Sequence, residues 1–155
     1  MKKTMLFFML LLALVACKQN DPQQPDTPTD DDQNTTSFTI ALSYDSVANT
    51  VTSIPSDTAA DYVLLVWMVQ DYIADYGDDF SDDKVFENMN SYIRQCIMYQ
   101  MGFPLFYGCE TVDVYDFFDQ PYPDEDCIAM AAPFDTEKRK LLKPVSYIFF
   151  TTPKK

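Results

Sequence analysis

Apolar and polar residues alternate from Ser37 to Tyr44, with Phe38, Ile40 and Leu42 on one side and Ser37, Thr39 and Ala41 on the other. That period of two predicts a half-buried strand. Asp45 to Asn49 reads as a turn, Thr50 to Ile54 as a short second strand, and Pro55-Ser56-Asp57 as its end. Tyr62 to Val69 is apolar at every position and includes Trp67. A buried helical turn competes for that run, but its length and β-branched content favour a central strand covered on both faces. Asp71 to Asp83 then carries six aspartates and reads as a solvated loop leading into a helix. Ser81 is placed as the helix N-cap, with Asp82 and Asp83 in a first turn whose dipole favours negative charge. Val85, Phe86, Met89, Ile93, Cys96, Ile97 and Met101 follow at three- and four-residue spacing. They predict one amphipathic helix over about 82–101, ending near Gly102 with Pro104 beyond.

Further along, Tyr107 to Val114 alternates loosely and reads as a strand, and Phe117 to Pro123 as an aromatic, proline-rich turn. Cys127 to Ala132 is a strand of small side chains suited to close sheet-to-sheet packing. Thr136 to Lys140 is a charged hairpin tip. Val145 to Thr152 is a last strand, with Val145, Tyr147 and Phe149 facing one way and Ile148 and Phe150 the other. Short strands separated by turns predict an all-β sandwich with one inserted α-helix.

The first residues have a different pattern. Lys2 and Lys3 precede an apolar run from Met5 to Val15, which is too short for a permanent membrane span and has the layout of a secretory signal peptide. Leu14-Val15-Ala16-Cys17 resembles the lipobox of bacterial lipoproteins. The resemblance implies a signal peptide over 1–16, cleavage before Cys17, lipidation of its thiol, and a membrane contact made through that lipid. Lys18 to Thr36 has no aromatic or branched aliphatic residue and is rich in Gln, Asn, Asp, Pro and Thr. Too little apolar surface is available there to offset ordering entropy, so 17–36 is expected to be a disordered acidic tether of at most about 65 Å. Acids after the lipidated cysteine, here Asp30-Asp31-Asp32, also resemble the surface-export signals of Bacteroidetes lipoproteins. They imply an outer-membrane protein that faces outward.

Residues 37–155 are long enough for one domain with one core. They carry eight Lys and Arg against nineteen Asp and Glu, a net charge of −11. A field of that sign repels nucleic acid, which is not an expected partner. With Cys17 assigned to lipid, Cys96, Cys109 and Cys127 remain. Cys109 and Cys127, both in predicted strand regions, are the candidate disulfide. The alternative is three reduced thiols acting as small apolar residues.

The chain has no histidine, which excludes Ser-His and Cys-His catalytic arrangements and histidine-ligated metal sites. Its three glycines do not form a phosphate-cradling loop, and its cysteines form no C-x-x-C pair. The expectation is a protein that is not an enzyme and holds no cofactor. Calcium is weighed at Asp75, Asp78 and Asp79, because hard cations take six to eight oxygen ligands. The segment lacks EF-hand spacing, so solvated loop and helix cap are preferred. Phe103, Phe106, Tyr107, Tyr115, Phe117, Phe118 and Tyr122 crowd the region after the helix. From Phe106 onward they are candidate ligand-binding aromatics for a glycan or peptide, with packing over the inserted helix as the preferred account.

Phe38-Thr39-Ile40, Ile54-Pro55-Ser56-Asp57, the Tyr62 strand, Pro123-Asp124-Glu125-Asp126 and the terminal Phe149-Phe150-Thr151-Thr152 together resemble the fibronectin type III-like domains of Bacteroidetes lipoproteins. The resemblance covers roughly 37–153 and departs from the family at Cys127, where a strand tyrosine is usual, and at the inserted helix. It implies extracellular display and a binding or spacing role, with no catalytic residues to transfer. The reading is thus a non-catalytic envelope lipoprotein, displayed as a binding module for a protein or glycan. The alternative is a structural or accessory subunit of an envelope assembly, joined through the exposed edges of Ser37 to Tyr44 and Val145 to Thr152.

Overall fold

The computed structural model describes residues 36–118 and 121–154. The signal-peptide reading, Cys17 and nearly all of the tether lie outside these residues. Eight strands and two α-helices follow in the order β1 (Ile40–Asp45), β2 (Thr50–Pro55), β3 (Asp61–Met68), α1 (Val69–Tyr76), α2 (Asp82–Met98), β4 (Leu105–Tyr107), β5 (Glu110–Asp113), β6 (Asp126–Asp135), β7 (Lys140–Leu141) and β8 (Ser146–Thr151). A single 3-10 turn, Val114–Phe117, follows β5.

Two antiparallel sheets result. The smaller has the order β1-β2-β5. In the larger, β3 and β6 are central, β4 lies beside β3, and β7 and β8 run in succession along the other edge of β6. The β3–β6 pairing runs from Tyr62↔Pro133 to Met68↔Cys127. The fold is thus mostly antiparallel β-sheet in a sandwich-like arrangement, with both helices in the connection between β3 and β4.

Side-chain alternation divides the core in two. Tyr62, Leu64 and Val66 of β3, with Cys127, Ala129 and Ala131 of β6, face the smaller sheet and meet Phe38, Ile40, Val51 and Val114. Val63 and Leu65, with Ile128, Met130 and Ala132, face the helices and meet Tyr72, Val85, Met89 and Ile93. Successive residues of a strand point to opposite faces, so a strand covered on both must be apolar throughout. β3 meets that requirement, as its sequence predicts. Of the small side chains expected to allow close sheet packing in β6, Cys127, Ala129 and Ala131 face the smaller sheet, while Ala132 lies on the other face with Ile128 and Met130, which fill space beneath the helices.

Three elements depart from the sequence reading. The described residues form two α-helices where one was expected. Val69, Tyr72 and Tyr76 recur at helical spacing inside a segment whose aspartates suggest a loop. Two turns are too few for a stable helix in isolation, and Tyr72, 1% exposed, supplies the tertiary support by packing into the core. Its hydroxyl accepts a 2.8 Å hydrogen bond from Asn88 Nδ2, which ties α1 to α2. Gly77, at φ 87°, stops α1, with its N–H on the Ile73 carbonyl.

The predicted strand Tyr107 to Val114 is instead two strands in different sheets. Gly108, at φ 69°, turns the chain between β4 and β5, and the Tyr62 hydroxyl holds that turn by donating to the Gly108 carbonyl at 3.1 Å. The long helix ends at Met98 rather than at 101. Gln100 N–H bonds to the Ile97 carbonyl and Met101 N–H to that of Cys96, a Schellman closure with Gln100 in the left-handed region at φ 56°.

Candidate functional site

The two ends of the sandwich differ. The described chain enters beside the β7–β8 connection, where Thr36 N–H donates to the Lys143 carbonyl at 2.9 Å. β1 starts at this end, opposite Pro55, and the nearby turn carries Lys138 and Arg139. At the far end lie Met68, Asp126 and Thr151, the β1–β2 turn and the segment after β5. Two buried polar side chains brace it. Asn49 accepts from the Tyr44 hydroxyl at 2.9 Å, while its carbonyl accepts from Val114 N–H. Thr152 donates its hydroxyl to the Tyr122 carbonyl at 2.6 Å and accepts from Glu125 N–H at 2.9 Å. Both satisfy polar groups that would otherwise be costly to bury.

A cleft of about 340 Å³ opens at the far end, lined by Trp67, Asp71, Tyr72, Ala74 and Asp75. Each lining residue is placed by the passage from β3 into α1. Trp67 is the penultimate residue of β3, and Asp71 and Asp75 are one helical turn apart on α1, on neighbouring surface positions. The indole is fixed by rings around it. Tyr76 stacks on it at 5.6 Å and 11°, Tyr92 meets it edge-on at 5.2 Å, and Tyr72 tilts against it at 5.9 Å. Burial raises the Tyr72 and Tyr76 phenols above their ordinary range, so both are neutral at physiological pH. A second opening of about 360 Å³ at this end is lined by Val69, Asp126, Cys127, Phe149, Phe150 and Thr151.

The expected site residues fall elsewhere. Phe106 stacks on Tyr62 at 5.9 Å, and Phe106, Phe117 and Phe118 pack into the core between the sheets. They therefore do not cover the helix as expected, although Phe103 does pack into the helix-side core. Tyr122 is half-buried with its ring edge-on to Phe118, and Tyr115 is half-buried with its N–H on the Asp113 carboxylate. Tyr107 is 71% exposed but stands at the chain-entry end, opposite Asp61. These six aromatics are not one binding face, because strand alternation and the Gly108 turn send them to different surfaces.

Asp75, Asp78 and Asp79 do not converge either. Asp75 faces the cleft from α1, whereas Asp79 accepts Ser81 N–H at 2.9 Å in the loop after it. That hydrogen bond, with a second from the Ser81 side chain, holds the Asp79 carboxyl below the usual range. It also supplies capping that the Ser81 side chain, at the expected N-cap position, does not. Among the described residues no three acids or thiols gather as metal ligands.

The Cys109–Cys127 pairing is not made, and the three described thiols are free. Cys127 lies fully buried between the sheets, while Cys109 is exposed in the β4–β5 turn. Desolvation there pushes the Cys127 thiol up to about 11, which makes it inert at neutral pH.

The Trp67 cleft was missed because the tryptophan belongs to an unbroken apolar run and the aspartates to an acidic one. The usable signal is Trp67, Asp71 and Asp75 at intervals of four across a strand end. No protein-family model, curated protein or solved structure matches the chain.

Proposed function

We propose that the protein is a non-catalytic, lipid-anchored module of the cell envelope that is displayed outward and binds a protein or glycan at the far end of its sandwich. The observation that carries this reading is the position of the Trp67 cleft. It opens at the end opposite Thr36, the first described residue. A tether joined to one end of a domain leaves the other end unobstructed for whatever approaches from solution. The lipobox-like Leu14 to Cys17 supplies the anchor in this reading, and the intervening residues supply the reach.

We also propose that the domain is of fibronectin type III-like type. In support, the first, second and fifth strands share one sheet while the third, fourth, sixth, seventh and last share the other. Such an exchange of strands between sheets is used by immunoglobulin-like sandwiches. The rival reading, assembly through the end strands, rests on β1 and β8, each of which pairs along one edge only, β1 with β2 and β8 with β6. Tyr44 links the two strands by stacking on Phe150 at 4.1 Å and donating to the Thr151 carbonyl.

Protease treatment of intact cells, beside a lysed control, tests the display. Loss of the domain from intact cells is the expected result. Protection until lysis would refute outward display and turn the search for partners to the periplasm.

A further inference from the structure

We infer that the Trp67 cleft takes the cationic side chain, arginine or lysine, of a basic protein partner. The inference rests on the binding-module reading and names the ligand class of the same site. Three observations lead to it. First, the lining is one-sided in its hydrogen-bonding chemistry. Asp71 and Asp75 offer acceptors only, and the side-chain donors of the lining are two, the indole N–H and the Tyr72 hydroxyl, which accepts from Asn88 and keeps its own hydrogen. A sugar ring, whose hydroxyls both donate and accept, would find few donors there. A guanidinium or ammonium only donates, and it matches such a lining.

Second, the aromatic wall is rigid. Tyr76, Tyr72 and Tyr92 hold the Trp67 indole in place, and tryptophan has the strongest quadrupole of the aromatic side chains for a cation placed over its face. An ordered wall spares the ligand the entropic cost of ordering it. The cleft, at about 340 Å³, is near the lower end of ligand sites, a scale suited to a side chain.

Third, the surroundings repeat the sign. Asp45, Asp113, Asp116, Asp124, Glu125 and Asp126 lie at the same end of the sandwich, where Lys154 pairs with Asp124 at 3.4 Å. At the chain-entry end, Lys138, Arg139, Lys140 and Lys143 offset the acids near them. The charge of the domain is therefore concentrated where the cleft opens, and it would steer a basic surface toward that end.

Trp67 is the only tryptophan in the chain, so its emission reports on this cleft alone. The test is to titrate the full chain with a tetra-arginine peptide, with maltotetraose as the neutral comparison, and to repeat it with Asp71→Asn/Asp75→Asn. Both carboxylates are exposed and outside the core, and circular dichroism verifies the fold of the variant. The expected result is a saturable change in emission with tetra-arginine that weakens with salt, with an affinity loss of about three- to tenfold in the variant. Unchanged affinity in the variant, no response to the peptide, or saturation by maltotetraose alone would each overturn the inference. Display is read separately: protection from protease on intact cells with tetra-arginine binding retained would refute outward display and still support the cationic ligand.

Discussion

The two faces of the central sheet solve different packing problems with the same two strands. Toward the helices, β6 presents Ile128, Met130 and Phe134, and toward the smaller sheet it presents Cys127, Ala129 and Ala131. A helix touches a sheet along a narrow line and leaves troughs beside it, which large side chains must fill. A second sheet lies flat at about 10 Å, and where its own side chains are bulky the facing ones must be small. The bulk on the smaller-sheet side comes from Phe38, Ile40, Val51 and Val114, with Tyr44 and Phe150 stacked beside them. One strand thus carries two packing rules on alternate residues, and substitutions should fail in opposite ways on the two faces.

The largest expected effect is on the helix side. Ile128→Ala leaves a void beneath α2 that the neighbouring strands cannot collapse to fill, because β6 is paired on both edges. A loss of about 2–5 kcal/mol is expected in urea unfolding. One position along, Ala129→Leu breaks the opposite rule by overfilling the space between the sheets, at about 1–3 kcal/mol. A larger cost for Ala129→Leu than for Ile128→Ala would show that the inter-sheet gap is the tighter of the two. A negligible cost would show spare room there, against the reading of a small-residue face.

A third experiment uses pH on the small-residue face. Burial raises the Cys127 thiol from 9.0 to about 11. The folded state therefore favours the neutral thiol. Its contribution is fully present below pH 9 and is lost as pH rises toward about 11, reaching about 1 kcal/mol of lost stability by pH 10. Cys127→Ala keeps the small volume and removes the ionisation, so unfolding midpoints measured from pH 8 to 10.5 should fall less steeply in the variant. Buried Tyr62 and Tyr72, also raised by desolvation, keep some slope in both proteins. Identical slopes would mean that Cys127 is solvated in the folded state.

Much of this architecture can be read from single residues. The period of two at Phe38, Ile40 and Leu42, the continuous run from Tyr62 to Val69 and the helical spacing from Val85 to Met101 each report burial on a defined face, and each marks an element, although Val69 already belongs to α1 and α2 stops at Met98. α1 was hidden because its support is tertiary: Tyr72 and Tyr76 become a buried face only once Trp67 and Phe80 are in place. The split between β4 and β5 was hidden for a similar reason. Strand periodicity carries no record of which sheet a strand joins, and the deciding residue, Gly108, acts through one left-handed turn. Site geometry was harder still. Acids and aromatics are abundant in this chain, and composition cannot separate Phe106, packed on Tyr62, from Trp67, which lines an open cleft.

The smallest predicted effect lies at the far end of the helix that makes the large-residue face necessary. The sequence offers Gly102 as the stop for α2, yet the residue that needs a left-handed backbone is Gln100, at φ 56°. Its side chain has to bear a conformation that disfavours a Cβ by about 1–2 kcal/mol, while Gly102 stands in open space with no such demand. Gln100→Gly should therefore stabilise the domain by about 0.5–1 kcal/mol, the greater freedom of glycine in the unfolded chain taking back part of the gain. Thermal unfolding would show this as a rise of about 2–4 °C. Gly102→Ala is the matched control and should not lower the midpoint, because neither space nor backbone opposes the added methyl group. If the control destabilises and Gln100→Gly does not help, the helix ends at the glycine in solution, and the Schellman closure on Cys96 and Ile97 is not what terminates α2.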